Sequence, residues 1–210
     1  LQIHPQHEKD FWMWVCGWAL FLNKPSDLGH SDTGYDLPEL RVHWHRISTD
    51  QRRAWSQTDN RGQQRMFLDA AGGVREAAAE KRETLEDRIV KMLEIMQANP
   101  DRNWLLWHHL ERERESIEKA VPGAQSVYGS QDLEEREKRI LGFVRGEIEI
   151  LSTKPEIAGS GCNFQRHCHS NIFLGVDYKF QDFIQAIHRT YRFQQTQPVD
   201  VHIIYAESED

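Results

Sequence analysis

The chain has 210 residues, 39% hydrophobic and 28% charged, with a formal net charge of -7 and a mean hydropathy of -0.71. That is enough apolar residue for one good core or one core plus an appendage, and it excludes a polytopic membrane protein. Three cysteines, Cys16, Cys162 and Cys168, exclude a disulfide framework and point to a reducing cytoplasm, while the acidic balance excludes a broad basic surface for polyanions.

Taken from the start, residues 11–22 (FWMWVCGWALFL) are the most apolar run. At about a dozen residues it falls short of the roughly 20 that span a bilayer, and the preceding HPQHEKD is not a basic leader. A buried helix is expected, or a tryptophan-rich helix that covers a partner surface. Residues 23–40, dense in Gly, Pro, Asp and Ser, are expected to form a long loop. Residues 41–48 (RVHWHRIS) alternate Val42, Trp44 and Arg46 with His43, His45 and Ile47, the pattern of a half-exposed strand. His43 and His45 share one side of it and are read as structural, since the neighbouring sequence offers no third metal ligand.

Residues 49–73 are polar and carry little signal. Over 74–98 the spacing predicts a helix whose stripe is Leu85, Ile89, Met92 and Met96, stopped by Asn99 and Pro100. Strand and helix then alternate, as a parallel α/β sheet requires. Strands are expected at 103–108, 124–128, 147–152, 171–175 and 199–205. Helices are expected at 111–120 and at 131–144, the latter with Leu133, Ile140, Leu141 and Val144 inward.

A last helix is expected over 185–195 (QAIHRTYRFQQ). At 3.6 residues per turn it places Gln185, Arg189 and Arg192 on one face and Ile184, Ile187 and Tyr191 on the other. Two fixed cations on one face suit an anionic ligand, or form an ordinary solvated side. Gly129 and Ser130, and likewise Ser152, Thr153 and Lys154, follow strands and either grip phosphate oxygens or serve as turn and cap residues. Cys162, His167, Cys168 and His169 are close in sequence, but Cys-x5-Cys is not a standard zinc spacing and no metal is expected.

Two motifs decide between these readings. Gln185, Ala186, Arg189, Arg192, Gln195, Pro198 and Val199 resemble the last motif of superfamily 2 helicases and translocases, most closely the Swi/Snf-like branch. Upstream, Ser152-Thr153-Lys154 followed by Gly161-x-Asn163 is similar to the preceding motif of that branch. The resemblance covers roughly residues 75–206. PEIAGS between Lys154 and Gly161 is longer than the family spacing, and His188, Tyr191, Phe193 and Gln194 depart from the family's usual Gly or Asp, His, Ile and Gly.

The resemblance implies the C-terminal, second RecA-like motor domain: a three-layer RecA-like parallel sheet with helices on both faces, over residues 74–210. Residues 1–73 then form an N-terminal helical and loop extension, with Leu37, Pro38 and the following strand as the passage between motor domains. It also implies roles. Arg189 and Arg192 stabilise charge on the γ-phosphate of ATP, Gln185 positions them, Gly161 and Asn163 line the nucleotide surface, and Gly129, Ser130, Ser152, Thr153 and Lys154 hold a nucleic-acid backbone. Duplex DNA is favoured over RNA, and no membrane partner is expected. No G-x-x-x-x-G-K-[ST] phosphate loop and no magnesium-holding Asp-Glu box occurs in the chain. ATP and Mg2+ are therefore expected to require an N-terminal RecA-like motor domain, with neither bound by this fragment alone and the fragment alone inactive. The alternative is a non-catalytic α/β interaction module that keeps the fold.

Overall fold

Four consecutive large apolar residues, Trp104–Trp107, form a short strand, β2, and all four are buried. A strand covered on both faces has no polar side, so an unbroken apolar run suits the centre of a parallel sheet. The computed structural model describes residues 5–20, 22, 24–33, 35–47, 84–158, 161–175 and 179–207. It divides into two units, Leu1–Asp36 and Leu37–Asp210.

In the first unit, α1 (Glu8–Cys16) follows a 3-10 turn, and a second 3-10 turn, Pro25–Leu28, ends at Gly29 with φ 79°. The helix expected over 11–22 therefore starts earlier and stops at Cys16, where Gly17 closes it. Nor is it a buried helix. Val15 is buried, but Trp12, Met13, Trp14, Trp18 and Leu20 are exposed. Among the described residues of this short unit no second apolar layer covers the helix.

Among the described residues the second unit is a six-stranded sheet in the order β1-β6-β5-β2-β4-β3, every neighbouring pair parallel. Its strands are β1 (Leu40–Ile47), β2, β3 (Gln125–Val127), β4 (Ile150–Thr153), β5 (Ser170–Phe173) and β6 (Val199–Ala206). Between them run α2 (Leu85–Gln97), α3 (Glu111–Ala120), α4 (Leu133–Val144), α5 (Pro155–Ala158) and α6 (Phe180–Ile187). Successive residues of a strand face opposite sides. Leu106, Ile172 and Ile204 thus pack on Met92, Ile95, Met96 and Ile117 of α2 and α3. Leu105, Trp107, Phe173 and Val201 pack on Phe143, Ala158, Ala186 and Ile187 of α4, α5 and α6. Three layers with helices on both faces result, as the sequence predicts.

Two further expectations need correcting. The strand assigned to the N-terminal extension pairs with β6 along its whole length, from Leu40 with Val199 to Ile47 with Ala206. It belongs to the sheet, and the unit boundary falls at Asp36–Leu37 rather than at residue 73. Residues 49–73 and the first residues of the helix expected from 74 lie outside the described residues. Within α4, Ile140 and Val144 pack inward as expected and Phe143 joins them, but Leu133 and Leu141 are exposed. Asp132 caps this helix by accepting from Glu134 N and Glu135 N, so Leu133 sits in the first turn, and Leu141 lies about 100° round from Ile140. Finally, the long spacing after Lys154 contains a folded turn, α5, with Pro155 and Ala158 buried. Among the described residues no helix is long and apolar enough to cross a membrane.

Arg88 of α2, fully buried, ties this helix to the far ends of two strands. Its Nη1 donates to Leu174 O at 2.8 Å and Ile204 O at 2.9 Å, and its Nε to Thr84 Oγ1 at 2.9 Å. Arg88→Met keeps the apolar stem but leaves those acceptors without this donor. It is expected to destabilise the sheet unit by about 2–4 kcal/mol, measured as a lower urea midpoint with an unchanged slope.

Candidate functional site

The helix expected to carry Gln185, Arg189 and Arg192 on one face ends before the arginines. α6 stops at Ile187, and Arg189 N then bonds Ala186 O at 3.1 Å and Thr190 N bonds Ile187 O at 3.1 Å, a tightening to i−3 bonding. The cause is a set of buried side chains. Thr190 donates its hydroxyl back to Ile187 O at 3.2 Å and accepts from Asn171 Nδ2 at 2.7 Å. Gln195 Nε2 donates to Thr190 O at 3.1 Å and to Cys168 O at 3.2 Å, while its Oε1 accepts from Thr196 N and Gln197 N. These bonds offer the backbone an alternative to the next helical turn.

The turn nevertheless gathers the expected residues. Arg189 Nη1 donates to Cys162 O at 3.2 Å, and its Nε to Gln185 O at 3.2 Å. Arg192 Nη1 donates to Asn163 Oδ1, and Phe164 N donates to Arg189 O at 2.9 Å, which staples the 161–164 loop to the turn. Gln185 thus meets Arg189 through its backbone carbonyl. Gly161, at φ 78° and with open space where a Cβ would stand, opens the loop. Partial burial first, then the neighbouring Arg192, lowers the Arg189 pKa from its ordinary value, although a guanidinium stays charged. Among the described residues no carboxylate pairs with either guanidinium. An open pocket of about 460 Å³ is lined by Asn163 and Gln194 of the loop and turn together with Val144, Arg145, Gln165, Arg166 and His167.

The other predicted residues are elsewhere. Asn171 and Cys168 stand at the start of β5, so the arginine turn lies at the N-terminal edge of the sheet. Gly129, Ser130 and Lys154 lie beyond the C-terminal ends of β3 and β4. Four strand residues, roughly 13 Å, separate the edges. Gly129 and Ser130 are exposed and Lys154 half-buried. Ser152 and Thr153 are fully buried, with Thr153 Oγ1 donating to Val127 O at 3.1 Å, so their hydroxyls are turned into the sheet rather than outward. The period-2 alternation of a strand buried on both faces hides every side chain, and the strand runs one residue further than the sequence suggested.

Sequence reasoning missed two features of that C-terminal edge. Arg114 lies over the Tyr128 ring at 4.4 Å, and the buried Glu113 accepts from His109 N at 2.7 Å and Leu110 N at 2.9 Å. The Leu110-x-x-Glu113 spacing is the available signal, a carboxylate at the third helical position reaching back to the cap. Beside them His108 is fully buried and pushed down to about 3, first by burial and then by Lys154, His109 and Arg114. Cys168, also buried, donates its thiol to Ser170 O at 3.4 Å and is pushed up to about 12 by burial. Among the described residues no three His, Cys, Asp or Glu side chains are arranged to hold a metal ion.

No family model matches the chain, and no curated protein matches it in sequence. Solved structures do match in fold. The crystal structure of the C-terminal part of the Fun30 ATPase domain superposes with a TM-score of 0.51 at 19% identity, covering 59% of this chain and 41% of that one. A DEAD box protein from the hyperthermophile Methanococcus jannaschii superposes with a TM-score of 0.51 at 17% identity, covering 59% of this chain and 34% of that one. At these identities the likeness establishes the RecA-like α/β fold, and this chain spans less than half the length of either structure.

Gln194 closes the arginine turn at φ 71°, in the left-handed region that a side chain disfavours. Gln194→Gly is expected to raise stability by about 1 kcal/mol by relieving that conformation, seen as a higher urea midpoint. An unchanged or lower midpoint would show that the side chain compensates the strain.

Proposed function

We propose that this chain is the second motor domain of an ATP-driven superfamily 2 helicase or translocase of the Swi/Snf-like branch. The observation that carries the reading is the part-exposed arginine turn, where Arg189 is held on the Cys162 carbonyl and Arg192 beside Asn163, with no carboxylate pairing with either among the described residues. Fixed guanidinium donors in a preset turn suit phosphate oxygens, whose charge they meet without reorganising. In this reading the phosphate loop lies on an N-terminal motor domain, and the arginines close over ATP bound there. Arg189, anchored on the Cys162 carbonyl, sets the loop. Arg192, steered by Asn163, reaches the γ-phosphoryl group as charge develops on its oxygens. Gly161 supplies close backbone approach.

The groups gathered around the turn are guanidinium, amide and imidazole. They fit phosphate and do not fit Mg2+, which belongs with the partner domain in this proposal. The same argument makes the isolated chain inactive. At the opposite edge, Gly129, Ser130 and Lys154, with the backbone amides that follow β4, form the nucleic-acid contact. A few local groups can hold a phosphate backbone on a domain of net charge -7, and duplex DNA is the favoured partner. A reducing compartment, the cytoplasm, suits the free cysteines.

The test is DNA-stimulated ATP turnover of the protein carrying both motor domains, wild type beside Arg192→Ala, with this chain alone as control. An arginine acting on the transferring phosphoryl group contributes about 10³–10⁵ in rate, roughly 4–7 kcal/mol of barrier. Loss of that order, with background turnover from the chain alone, supports the motor half. Normal turnover in Arg192→Ala would leave a non-catalytic α/β interaction module as the better reading.

A further inference from the structure

The edge strand β1 is joined to the sheet by more than its backbone ladder. The register that sets Arg41 against Asp200 and His43 against His202 puts His43 and His45 on the same face as Asp200 and His202 of β6. His43 Nε2 meets Asp200 Oδ1 at 2.8 Å, and Arg102, just before β2, donates to Asp200 Oδ2 and to Ser170 Oγ. Both carboxylate oxygens are thereby engaged. One position along, His45 Nε2 and His202 Nδ1 stand 2.9 Å apart. The His202 ring stacks on His43 with centroids 4.6 Å apart and on His45 at 5.2 Å, with Trp104 at 5.8 Å. His202 is only 8% exposed, and its Nε2 is enclosed with no hydrogen-bond partner among the described residues.

The chemistry of the pair is set by its proton count. A hydrogen bond between two imidazoles needs one ring to donate and the other to accept, so at least one ring is neutral and one proton lies between them. One further proton places an imidazolium near the cations Arg102 and Lys91 of α2 and against the His43 ring, each of which opposes a positive charge there. Asp200 is the nearest counter-charge, and its oxygens are already taken. A second proton makes both facing nitrogens donors, and the bond has no acceptor left. We propose that His45 and His202 form a proton-operated clasp on β1, closed when both rings are neutral and released on protonation, so that acid frees the edge strand while the rest of the sheet stays paired.

The surroundings act in the same direction. His202 is pushed down to about 4 by burial first, then by His43 and His45, with Arg102 adding and Asp200 opposing. Burial, His43 and Lys91 lower His45, and burial and Arg102 lower His169 against Asp200. With β1 open, these rings take up protons near the ordinary value of about 6.5, whereas in the clasp they resist. Opening therefore gains as pH falls from about 6.5 towards 4 and is indifferent to pH above that window. Among the described strands β6 is the neighbour of β1, so release disrupts one ladder and leaves β6-β5-β2-β4-β3 in place.

Hydrogen–deuterium exchange of the whole chain, corrected for intrinsic rates, tests this between pH 7.5 and pH 5 with peptides covering 40–47 and 104–107. Protection over 40–47 is expected to fall about tenfold or more relative to 104–107, since each unit of pKa displacement is a tenfold change in the opening equilibrium. His45→Gln should lessen the fall, because its amide oxygen accepts from His202 Nδ1 whether or not His202 is protonated, while burial alone still holds the His202 ring down. His202→Gln is the reciprocal variant and should do the same. Flat protection over 40–47 in the wild type, a parallel loss in both peptides, or an unchanged fall in both variants would overturn the clasp.

Discussion

Between the central strand and the arginine turn, buried polar groups are joined in series. Trp107 Nε1 donates to Asn171 Oδ1 at 3.2 Å, Asn171 Nδ2 to Thr190 Oγ1 at 2.7 Å, and Gln195 Nε2 to Thr190 O at 3.1 Å. Asn171, Thr190 and Gln195 are all nearly or fully buried. Each bond contributes about 1 kcal/mol net, but a broken one strands a buried partner at a cost of about 1–3 kcal/mol, so the set holds or fails together. It ends α6 at Ile187 and directs the next residues into a turn. The positions of Arg189 and Arg192 follow from it.

The sheet divides the work. Its N-terminal edge carries the arginine turn, the 161–164 loop stapled to it, and a pocket rich in donors. Its C-terminal edge carries the exposed Gly129 and Ser130 and the half-buried Lys154, with Arg114 lying over Tyr128 behind them. β2 connects the two edges through a rigid core, since Trp107 supplies the first bond of the brace and also packs on Phe173 in a stacked pair at 5.8 Å. In the proposed motor, nucleotide and nucleic acid would thus be engaged at opposite ends of one incompressible element.

Much of this arrangement was legible in the sequence, and the limits are physical. The apolar run NWLLWH gave β2 because a doubly covered strand must be apolar throughout. Met92 and Met96 gave α2 because 3.6-residue spacing is local. The end of α6 was hidden because the group that captures Thr190, Asn171, lies nineteen residues earlier in a strand. For the same reason β1 was recognised as a strand while its sheet was not, since its partner residues are more than 150 positions away. His43 and His45 found no companions in their own neighbourhood, and the fold supplied them in Asp200 and His202. Ser152 and Thr153 were expected to follow a strand and are instead its last two residues, and whether a hydroxyl faces solvent or the neighbouring strand is a question of register that pattern alone does not answer.

In the proposed motor the bonds through Asn171, Thr190 and Gln195 hold the arginines for catalysis, and Gln195→Ala in the protein with both motor domains tests that most directly. Gln195 touches neither guanidinium in the hydrogen bonds it makes, so its effect must act through the turn. Misplacement of a catalytic group by about 1 Å can cost on the order of 10² in rate. The expected result is a kcat for DNA-stimulated ATP hydrolysis lowered by about that factor, with KM for ATP little changed and cooperative urea unfolding retained. A variant that folds cooperatively and turns over ATP at the wild-type kcat would contradict the claim that this turn positions arginines for phosphoryl transfer.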